Sequence, residues 1–316
     1  MDYGAHLPVI DFGNQRFSLE RLSTYVQTAR DLGFKAVSTN DHLISHRPWL
    51  DAPTALAAVL SHSGNMAVGT SVILTVVRGP VQIAKTFAAI DILSNGRLFV
   101  GVGPGSSARD YEIVAMNYEE RWKRFDEAIQ VLRSLWSVDG ASFTGRFYST
   151  AGIDLEPKPI QKSGPPIWIG SWGSDAGLRR VARLGDGWLA SAYNTMPDQF
   201  KIGLDKLRAQ LKNLGKDPAT FPNALATMFM YITDDNARAD RVLSETLAPM
   251  LNRPLEQLRE RLLIGAPEVC AEKLAAYKAA GVQRLFIWPV RDELDQLTVF
   301  QKKVAPLVDR SNTGVE

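Results

Sequence analysis

The pair Asp41-His42, preceded by Asn40, carries the best acid–base chemistry in this sequence. An imidazole titrates near neutral pH, and a neighbouring carboxylate can orient it. The same residues also suit a structural histidine hydrogen-bonded in a turn. His6 and His46 make weaker cases, and His62 reads as structural near a helix end. All four histidines fall within residues 6–62. A catalytic metal needs ligands gathered from several parts of a chain, so no metal site is expected. A Gly-x-Ser-x-Gly nucleophile elbow is also missing.

Two glycine turns point to anion binding. One is Gly101-Val102-Gly103-Pro104-Gly105-Ser106-Ser107, and the other is Gly170-Ser171-Trp172-Gly173-Ser174-Asp175. Glycines let backbone N–H groups approach a phosphate, and Ser174 would cap a helix whose N-terminus favours negative charge. Tight strand-to-helix turns would use the same residues. The first turn fails as a dinucleotide fingerprint, because Ser106 stands where the third glycine belongs and Pro104 interrupts it.

Short β-rich runs alternate with amphipathic stretches. Strands are predicted at 3–9, 36–40, 66–77, 98–103, 166–170, 187–191, 224–232 and 283–288. Helices are predicted at 19–32, 53–63, 81–93, 119–136, 175–184, 200–214 and 294–307. A helical region over 237–280 is broken at Pro249, Pro254 and Pro267. In 119–136, Trp122, Phe125, Ile129, Leu132 and Trp136 share one face. Eight strand–helix units with right-handed crossovers predict an α/β fold, a (β/α)8 TIM barrel. Insertions are expected after strand 4 (residues 104–118) and, hairpin-like, between helix 4 and strand 5 (residues 139–166). Residues 1–310 form one domain in this reading, and 311–316 a tail. Barrel chemistry sits where the strands end. That face would gather His6, Asp41, His42, Ser71, Thr75, both glycine turns and Trp288. Trp49, Trp172, Tyr193 and Met228 are further candidates for an apolar pocket wall.

Composition narrows the class. The chain has 316 residues, 45% hydrophobic and 22% charged, with 36 basic against 34 acidic residues. A net charge of +2 gives no reason to expect nucleic acid or an anionic membrane as partner. The basic clusters 121–124 and 179–180 lie on amphipathic helices and read as solvated faces. Cys270 is the sole cysteine, which leaves no intramolecular disulfide. The opening MDYGAHLPVIDFG lacks the basic and apolar regions of a secretory signal, so a cytoplasmic protein is expected.

Taken in order, several segments together resemble the bacterial luciferase-like superfamily of flavin and deazaflavin oxidoreductases. They are Asp31-Leu32-Gly33-Phe34 leading into Asp41-His42-Leu43, Gly69-Thr70-Ser71-Val72, and Ala89-Ile90-Asp91 through Asn95-Gly96-Arg97. They continue with Gly101-Val102-Gly103-Pro104-Gly105, Arg124-Phe125-Asp126-Glu127, Pro157-Lys158-Pro159 and Ala182-Arg183-Leu184-Gly185-Asp186-Gly187-Trp188. The text is most similar to the branch that uses coenzyme F420. The resemblance implies hydride transfer between a deazaflavin and a small organic substrate, with the ring lying across the barrel mouth. It implies a non-prolyl cis peptide at Ser71-Val72, forming a bulge behind the ring. It matches Asp41 and His42 to residues that contact the ring and assist proton transfer, His42 as proton donor oriented by Asp41. Gly103, Gly105, Ser106 and Gly170, Ser171, Trp172, Gly173 and Ser174 match the tail-binding turns. It also implies a homodimer, and a separate reductase to recycle the cofactor. Sugar-phosphate dehydrogenases of this branch carry an acidic residue where Ser106 stands, which speaks against that substrate here. An FMN-dependent monooxygenase using O2 and a non-catalytic ligand-binding barrel are the alternatives.

Overall fold

A computed structural model describes residues 1–13 and 16–310. Nine parallel strands run in chain order as β1 (Asp2–His6), β2 (Ala36–Thr39), β3 (Ala67–Leu74), β4 (Leu98–Gly103) and β5 (Ile167–Gly170). They continue as β6 (Gly187–Ser191), β7 (Asn223–Ile232), β8 (Leu263–Gly265) and β9 (Arg284–Pro289). Each of β1 to β6 pairs with the next, β6 pairs with β7, β7 with β9, and β9 with β1. The expected eight-stranded TIM barrel is therefore closed, without a free sheet edge in the ring. Its strands are buried on nearly every residue, as a parallel sheet covered by helices requires.

The turn chemistry explains most element ends. Ser18 caps the helix Leu19–Asp31 by accepting from Arg21 N, and Gly33 stops it at φ 84°. Asn95 and Gly96, at φ 56° and 73°, terminate Pro80–Leu93. The segment 139–166 is the expected hairpin-like insertion, with a bridge between Thr144 and Ser149. Glu127 holds it by accepting from the N–H groups of Arg146, Phe147 and Tyr148 at 2.9, 2.8 and 3.2 Å. Asp91 anchors its far end by accepting from Gln161 N and Nε2 at 3.0 and 2.7 Å.

Four expectations need correction. First, β3 ends at Leu74, and Thr75–Arg78 is a helical turn rather than strand. Its β-branched residues are overridden because Arg78 has to reach Asp41, and Gly79-Pro80 then starts the next helix. Second, the 237–280 region contains β8, which pairs with the end of β7. Three residues are too few for a periodicity to register. Pro249 does not break its helix, because it falls at the start of a fresh turn at Ala248–Leu251. Third, residues 104–118 carry a helix, Ala108–Ile113, capped by Ser107. Fourth, Trp122 leaves the core face of Arg121–Trp136: it is 40% exposed, with the Arg180 guanidinium 4.5 Å from its ring centre. Phe125, Ile129, Leu132 and Trp136 are buried as expected. The expected tail, 311–316, lies outside the described residues.

Inside the barrel one layer is formed by Ala36, Phe99, Trp168, Leu189, Ala224, Ala226 and Phe286. The large residues cluster on β4, β5 and β6 and on β9, and the small ones on β1, β2 and β7 leave room for them. Gly101 sits just above Phe99, where an added Cβ would collide with the Thr70 carbonyl of β3 and approach Leu189 Cδ2 at 3.1 Å. Gly101→Ala is therefore expected to destabilise the barrel by about 1–3 kcal/mol, read as a lower denaturant midpoint at unchanged slope.

Candidate active site

Strand alternation determines which side chains reach the mouth. Two residues beyond the interior layer come Ser38 on β2, Gly101 and then Gly103 on β4, Gly170 on β5, Ser191 on β6 and Trp288 on β9. On β1 the inward residue above Gly4 is His6. The mouth therefore has two unlike sides. Over β4 and β5 it is almost free of side chains. Pairing of Val102 with Ile169 sets Gly103 beside Gly170, and an added Cβ at these glycines would meet Val72 at 2.8 and 3.1 Å. Ser71-Val72 is cis, and the β3–β4 register shifts between Thr70 and Ile73 at this point. Over β1 and β9 the mouth has an aromatic wall. His6 stacks on Trp288 at 3.6 Å between ring centres, and Trp288 stacks on Phe229 at 4.8 Å. Phe12 and Trp49 meet Trp288 edge-on at 6.1 Å each.

Two indole N–H groups on that wall, Trp49 Nε1 and Trp288 Nε1, have no partner among the described residues. Buried polar atoms are normally paired, so an unpaired group of this kind suits a bound molecule. A planar ring system fits the glycine floor, with polar atoms of the wall left to address what lies over it.

His6 is fully buried, and its Nδ1 lies 2.8 Å from the Leu7 carbonyl. A carbonyl only accepts, so Nδ1 carries the proton and Nε2 is left as the acceptor, toward the Asn40 side chain. Burial pushes the His6 pKa down to about 3, only partly offset by the Leu7 carbonyl and the Asn40 side chain. His6 thus stays neutral and acts as an acceptor.

Asp41 and His42 are adjacent in sequence but serve different partners. The Asp41 carboxylate is inaccessible and takes both arms of Arg78, Nε and a terminal nitrogen, at 2.6 Å each. It also accepts from Leu74 N at 3.3 Å. A second Arg78 contact at 2.6 Å reaches Asp51, which caps the helix Ala52–Ala58. Burial alone would lower the Arg78 pKa, and the two carboxylates more than offset it and raise it. Burial would raise the Asp51 carboxyl, but Thr54 and Arg78 together hold it below the ordinary value. The expectation that Asp41 orients His42 is therefore corrected. The carboxylate facing the imidazole belongs to Asp110, with Oδ2 at 3.4 Å from His42 Nδ1. The His42 side chain is 32% exposed, and its ring lies 4.8 Å from Trp49.

The remaining expected residues divide. Ser71 Oγ donates to Ser38 Oγ at 3.1 Å, and Thr75 Oγ1 donates to the Gly103 carbonyl at 3.4 Å. Gly105 has φ 87° and Gly173 φ 91°, conformations that favour glycine. Ser106 is exposed, and its carbonyl accepts from Tyr118 Oη at 3.1 Å. Ser174 caps Asp175–Leu184 by accepting from Gly177 N, while Ser171 Oγ accepts from Gly173 N. Trp172 stands at the rim, 58% exposed, and Met228 is fully buried. Arg78, Asp110, Phe12 and Phe229 were not foreseen. They come from loops and strands remote in sequence, and no local pattern marks them. Among the described residues no cluster of three or more His, Cys, Asp or Glu could hold a metal, and no helix is long and apolar enough to cross a membrane.

The depressed His6 pKa has a consequence for stability. The unfolded chain protonates this imidazole below about pH 6.5, while the folded chain does so only near pH 3. Stability is unaffected above pH 6.5 and falls as the pH drops through that window, by about 2 kcal/mol at pH 5. Denaturant unfolding at pH 7.5 and pH 5 should therefore differ by about 2 kcal/mol less in His6→Gln than in the natural protein. An equal difference in the two proteins would refute a neutral His6.

The family model described as luciferase-like monooxygenase matches residues 5–250. An F420-dependent hydroxymycolic acid dehydrogenase of Mycobacterium tuberculosis is 32% identical over 72% of this chain, which spans 63% of that relative. An F420-dependent glucose-6-phosphate dehydrogenase of Segniliparus rotundus is 27% identical over 92% of this chain and 95% of its own length. Among solved structures, a monooxygenase of Streptomyces bottropensis superposes with a TM-score of 0.84 at 21% identity, covering 97% of this chain and 99% of that one. An F420-dependent secondary alcohol dehydrogenase, solved with an F420-acetone adduct, superposes at 0.82 and 19%, covering 97% and 98%. The closed barrel and the family match agree: the chain belongs to the luciferase-like monooxygenase family.

Proposed function

We propose that the protein is an F420-dependent oxidoreductase acting on a carbon–oxygen centre of a small organic substrate. The observation that carries this reading is a glycine floor at Gly103 and Gly170, with His42 against Trp49 of the aromatic wall, in a chain whose relatives include F420-dependent dehydrogenases over nearly full length. The deazaflavin, when bound, exchanges a hydride with the substrate carbon. Every other task falls to this chain. Val72, Gly103 and Gly170 make the surface on which a planar ring lies flat. The turns at Gly105–Ser107 and Gly170–Ser174 offer backbone N–H groups to its phosphate. Trp49, Trp288 and Phe229 exclude water from the opposite side. His42 Nε2 takes the substrate hydroxyl proton during oxidation, or returns it during reduction. Asp41 is already saturated by Arg78, so it supports the geometry without a free acceptor of its own. Ser106 stands where the resemblance places the catalytic acid of sugar-phosphate dehydrogenases, which favours a different small alcohol or carbonyl substrate.

Tryptophan fluorescence of the purified protein, titrated with F420 and FMN in parallel, tests the cofactor. Micromolar or tighter binding of F420 with little response to FMN is expected, since Trp168 and Trp172 flank the phosphate turn. The opposite preference, with O2-dependent turnover, would make this an FMN-dependent monooxygenase. His42→Ala should bind F420 within a few-fold of the natural protein and lose most of its turnover, a loss of about 10²–10⁴-fold. Unchanged turnover would remove His42 from the chemistry.

A further inference from the structure

The carboxylate nearest the proposed base comes from the β4 loop. Asp110 is wholly inaccessible on the helix Ala108–Ile113. Its N–H donates to Ser107 Oγ at 3.3 Å, which sets the helix start. Its Oδ1 accepts from Ile44 N at 3.2 Å, and its Oδ2 lies 3.4 Å from His42 Nδ1. Oδ2 makes no hydrogen bond of its own among the described residues. Both oxygens thus address the segment 42–44, which links the loop after β4 to the loop after β2. A buried carboxylate oxygen left unpartnered is costly, and an N–H from the imidazole relieves that cost. The other neighbour of the ring is Trp49, uncharged, and Asp41 is engaged by Arg78.

We infer that Asp110 is the positioning residue for His42, holding the proton on Nδ1 so that Nε2 presents a lone pair to the mouth and stabilising the imidazolium when a proton is taken up. This rests on the reading of His42 as the acid–base group, and it extends that reading to a buried Asp–His pair. Asp110 touches neither substrate nor cofactor. An asparagine at 110 has nearly the same shape and can still accept from Ile44 N, but its amide would donate toward Nδ1. That would favour the tautomer with the proton on Nε2 and remove the lone pair from the mouth.

The test has two readouts. First, ¹⁵N-imidazole NMR of the cofactor-free natural protein, assigned with His42→Gln, is expected to show the Nδ1–H tautomer for neutral His42. In Asp110→Asn that preference should reverse toward the Nε2–H tautomer. Second, Asp110→Asn should lower kcat at least tenfold and shift the kcat–pH profile, with KM and F420 affinity within threefold, and Asp110→Glu should recover part of kcat. An Nε2–H tautomer in the natural protein, or a tautomer unchanged in Asp110→Asn, would overturn the assignment. The tautomer is measured on the natural chain, so it decides the matter even if the variants fold poorly. It also needs no cofactor, so a failure of F420 binding would defeat the functional reading separately.

Discussion

A bidentate ion pair between Arg78 and the inaccessible Asp41 holds the mouth of this barrel in shape. The carboxylate sits just beyond β2, and the guanidinium ends the turn that follows β3. Leu74 N adds a third donor. Removing Arg78 would strand the Asp41 carboxylate where water cannot reach it, whereas Arg78 is partly exposed and keeps Asp51. Arg78 also touches Asp51 at the cap of the next helix. One side chain therefore ties together the loops after β2 and β3, and with them the backbone that presents His42.

The rest of the mouth follows from what the strands place inward. β4 and β5 end in glycines, so the floor there accepts something flat and wide. β1 and β9 present His6 and Trp288 there, so the facing wall is aromatic, with the indole N–H groups of Trp49 and Trp288 unpaired among the described residues. A neutral His6 suits this wall, because a buried imidazolium without a counter-ion would be expensive. The asymmetry suits a division of labour in which a cofactor carries the redox chemistry and the protein supplies surface, orientation and electrostatics.

Much of this was legible in the chain. Alternation of strand and helix signals placed the eight barrel strands, and the glycine turns marked the ends of β4 and β5. The resemblance pointed to the family and to the cis peptide at Ser71-Val72. Where prediction failed, tertiary demand outweighed local preference. Thr75-Val76-Val77 has strand propensity yet turns helically so that Arg78 reaches Asp41. Trp122 fits the apolar stripe of its helix yet packs under Arg180 at the surface. The short β8 had no periodicity to read.

The sequence by itself determined the fold class and the two glycine turns, because hydrophobic period and turn residues act locally. Only the tertiary structure decided which carboxylate faces His42. Asp41 is its neighbour along the chain, but side chains of adjacent residues leave the backbone in different directions, and Asp41 meets Arg78. Asp110 lies 68 positions away from His42 in number and 3.4 Å away in space. No spacing rule links the two, because barrel closure brings together the loops after β2 and β4 without regard to the chain between them.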